Sequence, residues 1–135
     1  MAFADAQSGG TILEASYAVE VTLAGACVKG DLLGYSSGWK RALATVGTAI
    51  QAKCVAAMDG QIGDKIVAYF GKVRLGGRLS GMTIGNPLYA AEGTSNGQYT
   101  ETAPTTSGDC NKIIGYSCAA TEAIIDCAVN ADTTG

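Results

Sequence analysis

The sequence predicts an all-β domain, and three observations carry that expectation. About ten short apolar segments follow one another at close spacing, turn residues separate them, and no helical period is sustained. Length points to one domain, since 135 residues leave no room for a second core. Composition explains why the strands are short. Leu, Ile, Val and Phe supply only 27 residues, whereas Ala supplies 22 and Gly 19. A fifth of bulky aliphatic and Phe residues is at the margin of what a foldable chain needs. The low charge content of 16% nonetheless excludes a charge-swollen disordered chain. Such a protein is turn-rich and thinly cored, and is expected to share burial with neighbours.

The first element is not a strand. Residues 1–14 are small and polar, with Phe3, Ile12 and Leu13 as the bulky exceptions, and Ser8-Gly9-Gly10 argues for an extended arm. The domain proper is read as residues 15–135. From Tyr17 the text alternates: Tyr17, Val19, Val21 and Leu23 fall on one face, which is the period of a half-buried strand. Leu32–Tyr35 and Trp39–Ala42 flank Ser36-Ser37-Gly38 and read as a tight hairpin. The Ala-rich stretch Arg41–Ala52 is interrupted by Thr45, Val46, Gly47 and Thr48, which weakens a helix. Ile50–Met58 is a strand closed by Asp59-Gly60. Lys65–Phe70 and Lys72–Leu75 are separated by Gly71. Leu88–Ala90 and Gln98–Glu101 flank a loop with the hairpin dipeptide Asn96-Gly97. Lys112–Cys118 and Glu122–Asn130 form the last pair. The expected architecture is a small β-barrel (tulip-like) or sandwich with an N-terminal arm.

One local pattern recurs. Gly30-Asp31, Gly63-Asp64 and Gly85-Asn86 each introduce a strand, and Gly108-Asp109 is a looser copy. Glycine supplies φ > 0 and the Asx side chain closes the turn, so these read as reused turns. The carboxylates are too isolated for a calcium loop.

Chemistry is excluded more readily than it is found. No histidine occurs, which removes the usual general base, Ser-His-Asp and Cys-His arrangements, and His-based metal sites. Acidic residues are scattered singly, and no phosphate-loop or dinucleotide motif is present. No catalytic, metal or cofactor site is therefore expected. The five cysteines contain no C-x-x-C and read as small buried hydrophobes. A bond between Cys118 and Cys127 is the one disulfide the last hairpin allows. The acidic balance, with net charge −3, gives no footprint for nucleic acid. The longest uncharged run, Leu79–Ala91, is too short to span a membrane as a helix. MAFADAQSGG lacks the basic and apolar regions of a signal peptide, so synthesis in the cytoplasm with reduced thiols is expected. Lys72, Arg74 and Arg78 form the one basic cluster: a solvated strand face, or a surface for an acidic partner. Trp39 with Tyr35 is a core hairpin pair or an interface anchor.

The order of these motifs resembles the small capsid decoration (cement) proteins of tailed bacteriophages. Val28-Lys29-Gly30-Asp31-Leu32-Leu33-Gly34-Tyr35, then Gly38-Trp39-Lys40-Arg41-Ala42, is similar to the opening of that family's barrel. Ile62-Gly63-Asp64-Lys65-Ile66-Val67 with Gly71-Lys72-Val73 resembles its second Gly-Asp strand. So do Gly85-Asn86-Pro87-Leu88-Tyr89 with Gly93 and Gly97-Gln98-Tyr99, and Ile113-Ile114-Gly115-Tyr116-Ser117 with Ala123-Ile124-Ile125. The resemblance covers roughly residues 17–130; five cysteines depart from it. It implies a non-enzymatic virion protein on the outer capsid surface, a homotrimer at local three-fold sites that bridges neighbouring capsomers. Its partner would be the major capsid protein, contacted by the arm through Phe3, Ile12 and Leu13, with Lys72, Arg74 and Arg78 as a partner surface. The alternatives are a phage tail or other self-assembling shell protein, and a carbohydrate-binding β-module using Trp39 and Tyr35.

Overall fold

Alternating side chains and frequent turns produce strands that leave one sheet and enter another within a few residues. A computed structural model describes residues 3–7, 10–45, 49–92, 96–105 and 113–127. Gly108-Asp109, Cys110, Gly93 and the ends of the last two predicted strands lie outside these residues. The described residues contain thirteen strands and no helix. In chain order they are β1 (Ala4–Asp5), β2 (Thr11–Ala15), β3 (Ala18–Thr22), β4 (Leu32–Tyr35), β5 (Trp39–Arg41), β6 (Cys54–Ala56) and β7 (Lys65–Tyr69). Then follow β8 (Lys72–Gly76), β9 (Leu79–Ser80), β10 (Pro87–Ala90), β11 (Tyr99–Thr100), β12 (Gly115–Ala119) and β13 (Glu122–Asp126).

They form a six-stranded sheet ordered β11-β10-β12-β13-β8-β2, a five-stranded sheet ordered β3-β7-β6-β4-β5, and the pair β1-β9. Every strand pairing is antiparallel. No sheet closes into a barrel. In the five-stranded sheet a single parallel bridge, Leu23 to Trp39, brings the two outer strands together. The main core is shared between the sheets: Leu32 and Val55 from one meet Val73, Leu75, Leu88, Ala123 and Ile125 from the other. A second cluster, including Val21, Leu33, Cys54 and Ile66, lies within the five-stranded sheet.

Two bent strands join the sheets. β2 runs into β3 while their partners β7 and β8 run the opposite way, so Ala15 opposes Val73 and Ala18 opposes Tyr69. Between these pairs, Ser16 and Tyr17 face Phe70, Gly71 and Lys72, one residue more, which makes the corner a bulge. Gly71 is required there: a Cβ would lie 2.2 Å from the Ser16 hydroxyl oxygen. The turn pays its strain at Tyr17, which has φ 59. The corner also explains why the predicted apolar face of this strand is only half buried. Val21 and Leu23 are in the core, whereas Val19 is 38% exposed and Tyr17 is 73% exposed where the chain leaves it.

The recurring Gly-Asx text is one turn used three times. Gly30, Gly63 and Gly85 have φ of 90, 91 and 89. In each case the carbonyl three residues before the Asx position accepts its N–H: Val28 from Asp31, Gln61 from Asp64, Thr83 from Asn86. The Asp31 and Asp64 carboxylates accept back from the Val28 and Gln61 N–H groups at 3.0 and 2.8 Å. This is type II turn geometry, which needs glycine at its third position.

The small residues that swell the composition are in the core. Eight alanines, among them Ala42, Ala44, Ala52 and Ala123, are buried together with Cys27, Cys54 and Cys127. They let backbones approach closely between the larger buried side chains, seven leucines among them. The described residues of the stretch Arg41–Ala52 accordingly supply the last residue of β5 and an isolated bridge, Leu43 to Ile50, and no helix.

Candidate functional site

The outer face of the six-stranded sheet carries an open groove of about 540 Å³ where β2, β8, β13 and β12 meet. Strand alternation puts Lys72 and Arg74 outward while Val73 and Leu75 enter the core. Register then lines up Glu14, Arg74, Ile124, Tyr116 and Pro87 across five adjacent strands. Arg74 is committed to carboxylates: its Nε and Nη2 donate to Glu122 Oε1 at 2.9 and 2.6 Å, and Glu14 lies 3.8 Å away. The hydrogen bond to Glu122, and then its charge, hold the guanidinium above its ordinary pKa. Lys72 opposes Asp126. The face therefore presents one cation already paired with acids, Arg74, with Ile124 and Tyr116 beside it in register.

Arg78 does not share this face, which corrects the sequence expectation that grouped it with Lys72 and Arg74. It is only 1% exposed. The chain turns at Gly77, which has φ 81, and the side chain enters the interior instead of continuing the β8 alternation. There its Nε and Nη2 donate to the two Asp5 carboxylate oxygens at 2.8 and 3.4 Å, and its Nη1 meets Asp31 at 2.8 Å. Further donations reach the Lys29 and Gly97 carbonyls, and the guanidinium stands 5.3 Å from the Tyr99 ring centre. Tyr99 adds its hydroxyl to the Gly30 carbonyl at 2.6 Å and its N–H to Asp5 at 3.0 Å. Burial pushes the Asp31 carboxyl up, against the opposing pull of the Val28 N–H and the Arg78 charge. Burial also works against the Arg78 charge, but the Asp5 hydrogen bond and the surrounding negative groups prevail and raise its pKa. Among the described residues no buried side-chain polar atom lacks a partner. One buried cation thus ties together the N-terminal segment, the first Gly-Asp turn and the Asn96-Gly97 turn.

The three apolar residues read as arm anchors are divided by the structure. Phe3 and Ile12 pack partly buried against the main core, and Leu13 is 46% exposed. The segment read as an arm lies on the domain: β1 pairs with β9 and β2 with β8. Asp5, Asp31 and Tyr99 are the residues that sequence reasoning did not bring together. The only available signal was a lone arginine amid Gly-Gly and Leu-Ser, where nothing nearby offered it a counter-charge.

Trp39 is partly buried, with Tyr35 and Phe70 each edge-on to it at 5.4 Å and interplanar angles of 80° and 86°. Rings so placed make a packed aromatic row, not a flat platform. Cys118 and Cys127 are not bonded to each other. The hairpin closes between Ala119 and Glu122, which puts Cys118 at its turn, whereas Cys127 follows Asp126 near Ile114 at the other end. Burial, then the charges of Asp31 and Asp59, push the Cys27 thiol up to about 11, and burial raises Cys54 further. Among the described residues no group of His, Cys, Asp or Glu is placed to hold a metal ion. Among the described residues no helix is long and apolar enough to cross a membrane. No protein-family model, curated protein or solved structure matches this chain.

Proposed function

We propose that this is a non-enzymatic structural module that coats the outside of an icosahedral capsid as a homotrimer at local three-fold sites. In this reading it works by bridging neighbouring capsomers, with the major capsid protein as its partner, and it needs no cofactor. The all-β, antiparallel, sandwich-like packing of short strands is compatible with the resemblance noted in the sequence.

The observation that carries the proposal is the placement of bulky apolar side chains. Ile62 and Ile84 occupy the same second position in two of the three Gly-Asx turns and are 75% and 71% exposed. A turn tip has no structural use for an isoleucine. Tyr17, Tyr35, Ile113 and Tyr116 are also exposed, while eight of the buried core positions among the described residues are filled by alanine. In a chain with so few bulky residues, this exposure supports a role in contact with other proteins.

The test is electron microscopy of the purified protein mixed with undecorated heads of tailed phages, alongside mass measurement in solution. A discrete trimer and added density at three-fold positions are expected. A monomer that leaves every head bare refutes the proposal, and open polymers favour a tail or shell protein instead.

A further inference from the structure

We infer that the segment from Phe3 to Ser16 is an exchangeable strand: in assemblies of this chain, its place on β8, β9 and Arg78 is taken by the same residues of a second copy. The inference goes beyond the proposed function and requires self-association only, not a capsid.

Three features of the segment support it. First, its main strand is bracketed by strain. Among the described residues three non-glycine positions have positive φ, and two of them, Gln7 (φ 68) and Tyr17 (φ 59), flank β2. A tyrosine in the left-handed region is held there by the surrounding contacts and not by local preference. Second, the middle of the segment is loosely buried. Of β2 only Ile12 is partly covered, and Thr11, Leu13, Glu14 and Ala15 are exposed at the outer edge of the sheet. Third, the end is a lock of high specificity, with Asp5 gripped by the Arg78 fork and the Tyr99 N–H.

A segment with a tight lock, an edge strand and a strained corner meets the physical conditions for exchange. Every bond it makes is remade unchanged when another copy supplies it. This includes the bonds at the corner: Ser16 N–H to the Lys72 carbonyl, Lys72 N–H to the Ser16 hydroxyl, and Gly71 N–H to the Ser16 carbonyl. What differs between the closed and exchanged forms is the corner, where Tyr17 relaxes to an extended conformation. Its side chain is 73% exposed, so unbending meets no packing. Because Ser16 keeps its bonds to the acceptor copy and Ala18 stays opposite Tyr69 of its own, Tyr17 alone crosses between the two, so the exchange requires the two corners to abut. Short strained joints of this kind are known to promote swapping.

Ala4 and Ser80 are directly opposed across the β1–β9 pair, Ala4 exposed and Ser80 half-buried. The experiment uses full-length Ala4→Cys and Ser80→Cys chains, each alone and refolded together, oxidised and run on non-reducing gels, with the linked peptides mapped. Neither variant alone carries both introduced thiols. A two-chain species joined through positions 4 and 80, found only in the mixture, is the expected result. A mixture that stays single-chain, while the Ala4→Cys/Ser80→Cys double variant closes within one chain, overturns the inference. Adding Tyr17→Gly removes the corner strain, and is expected to lower the cross-linked fraction about tenfold. An unchanged fraction also counts against the inference, because it removes the strain that drives the exchange.

Discussion

Replacing Arg78 with methionine keeps a long apolar stem and deletes only the guanidinium. In the folded protein the Arg78 side chain is 0% exposed and those of Asp5 and Asp31 are 4% and 2% exposed. The variant therefore leaves two carboxylates buried without their counter-charge, removes the Arg78 donor from the Lys29 carbonyl, and leaves the Gly97 carbonyl with the Leu32 N–H alone. Breaking a buried pair by removing one partner costs about 3–5 kcal/mol. That is a large share of the ~5–15 kcal/mol that holds a domain together, and corresponds to a fall in Tm of roughly 10–20 °C at this chain length. Urea denaturation followed by circular dichroism, with calorimetry for Tm, measures it. The penalty belongs to the stranded charges, so Arg78→Met combined with Asp5→Asn and Asp31→Asn should recover most of the loss, a non-additivity that a mutant cycle reads directly. An Arg78→Met protein within about 1 kcal/mol of the parent would falsify the claim that this network holds the three segments together. A triple variant as unstable as the single one would show that geometry, not charge, is what Arg78 supplies.

Three further outcomes follow from the same geometry. Gly30 and Gly63 share one backbone conformation, but a Cβ on Gly63 meets nothing, while one on Gly30 lies 3.3 Å from Arg78 Nη1 and 3.5 Å from Leu75. Gly63→Ala is expected to cost about 1 kcal/mol from the left-handed strain alone, and Gly30→Ala measurably more in the same denaturation assay; equal costs would detach the first turn from the buried cluster. The Asp31 carboxyl sits above its ordinary 3.8 in the folded state, so the native protein binds this proton more tightly than the unfolded chain. Its contribution is therefore most favourable below pH 3.8 and declines as pH rises through the raised folded value. The stability difference between the parent and Asp31→Asn, followed by denaturation from pH 3 upward, should move in that direction, and an opposite slope refutes the assignment. Thiol reagents read residue by residue by mass spectrometry should modify the half-exposed Cys118 well before Cys27 or Cys54, whose burial both blocks access and suppresses the thiolate. Rapid modification of Cys54 in the folded protein would contradict its placement.

Strands were legible wherever the local pattern was self-sufficient. Leu32–Tyr35 and Trp39–Arg41 pair as the Ser-Ser-Gly turn indicates, and β10 pairs with β11 across Asn96-Gly97. The Gly-Asx turns were legible for the same reason, since positive φ at glycine and an Asx side chain act within four residues. Lys65–Tyr69 and Lys72–Gly76 show where this stops. They are separated by two residues and look like a hairpin, yet they pair with different strands in different sheets. A glycine in a sequence signals a bend, but whether the bend reverses the chain or carries it round a corner depends on what packs against it. Here that is Ser16 and the strained Tyr17. The apolar residues of the N-terminal segment posed the same difficulty: Phe3 and Ile12 suit a partner's surface and their own core equally well, and only tertiary contact distinguishes the two.

The sequence by itself determined the all-β class, the position of most strands, the turn chemistry and the lack of any histidine-based site. All of these rest on short-range sterics, alternation and composition. Tertiary structure alone decided which strands share a sheet, where the N-terminal segment lies, and that Arg78 is a buried hub and not part of a basic surface. The reason is range. An arginine is buried only where carboxylates distant in sequence are brought to it, and here Asp5 and Asp31 arrive from separate turns and strands. No local pattern encodes that meeting, because the free energy that permits it exists only once the sheets have closed over it.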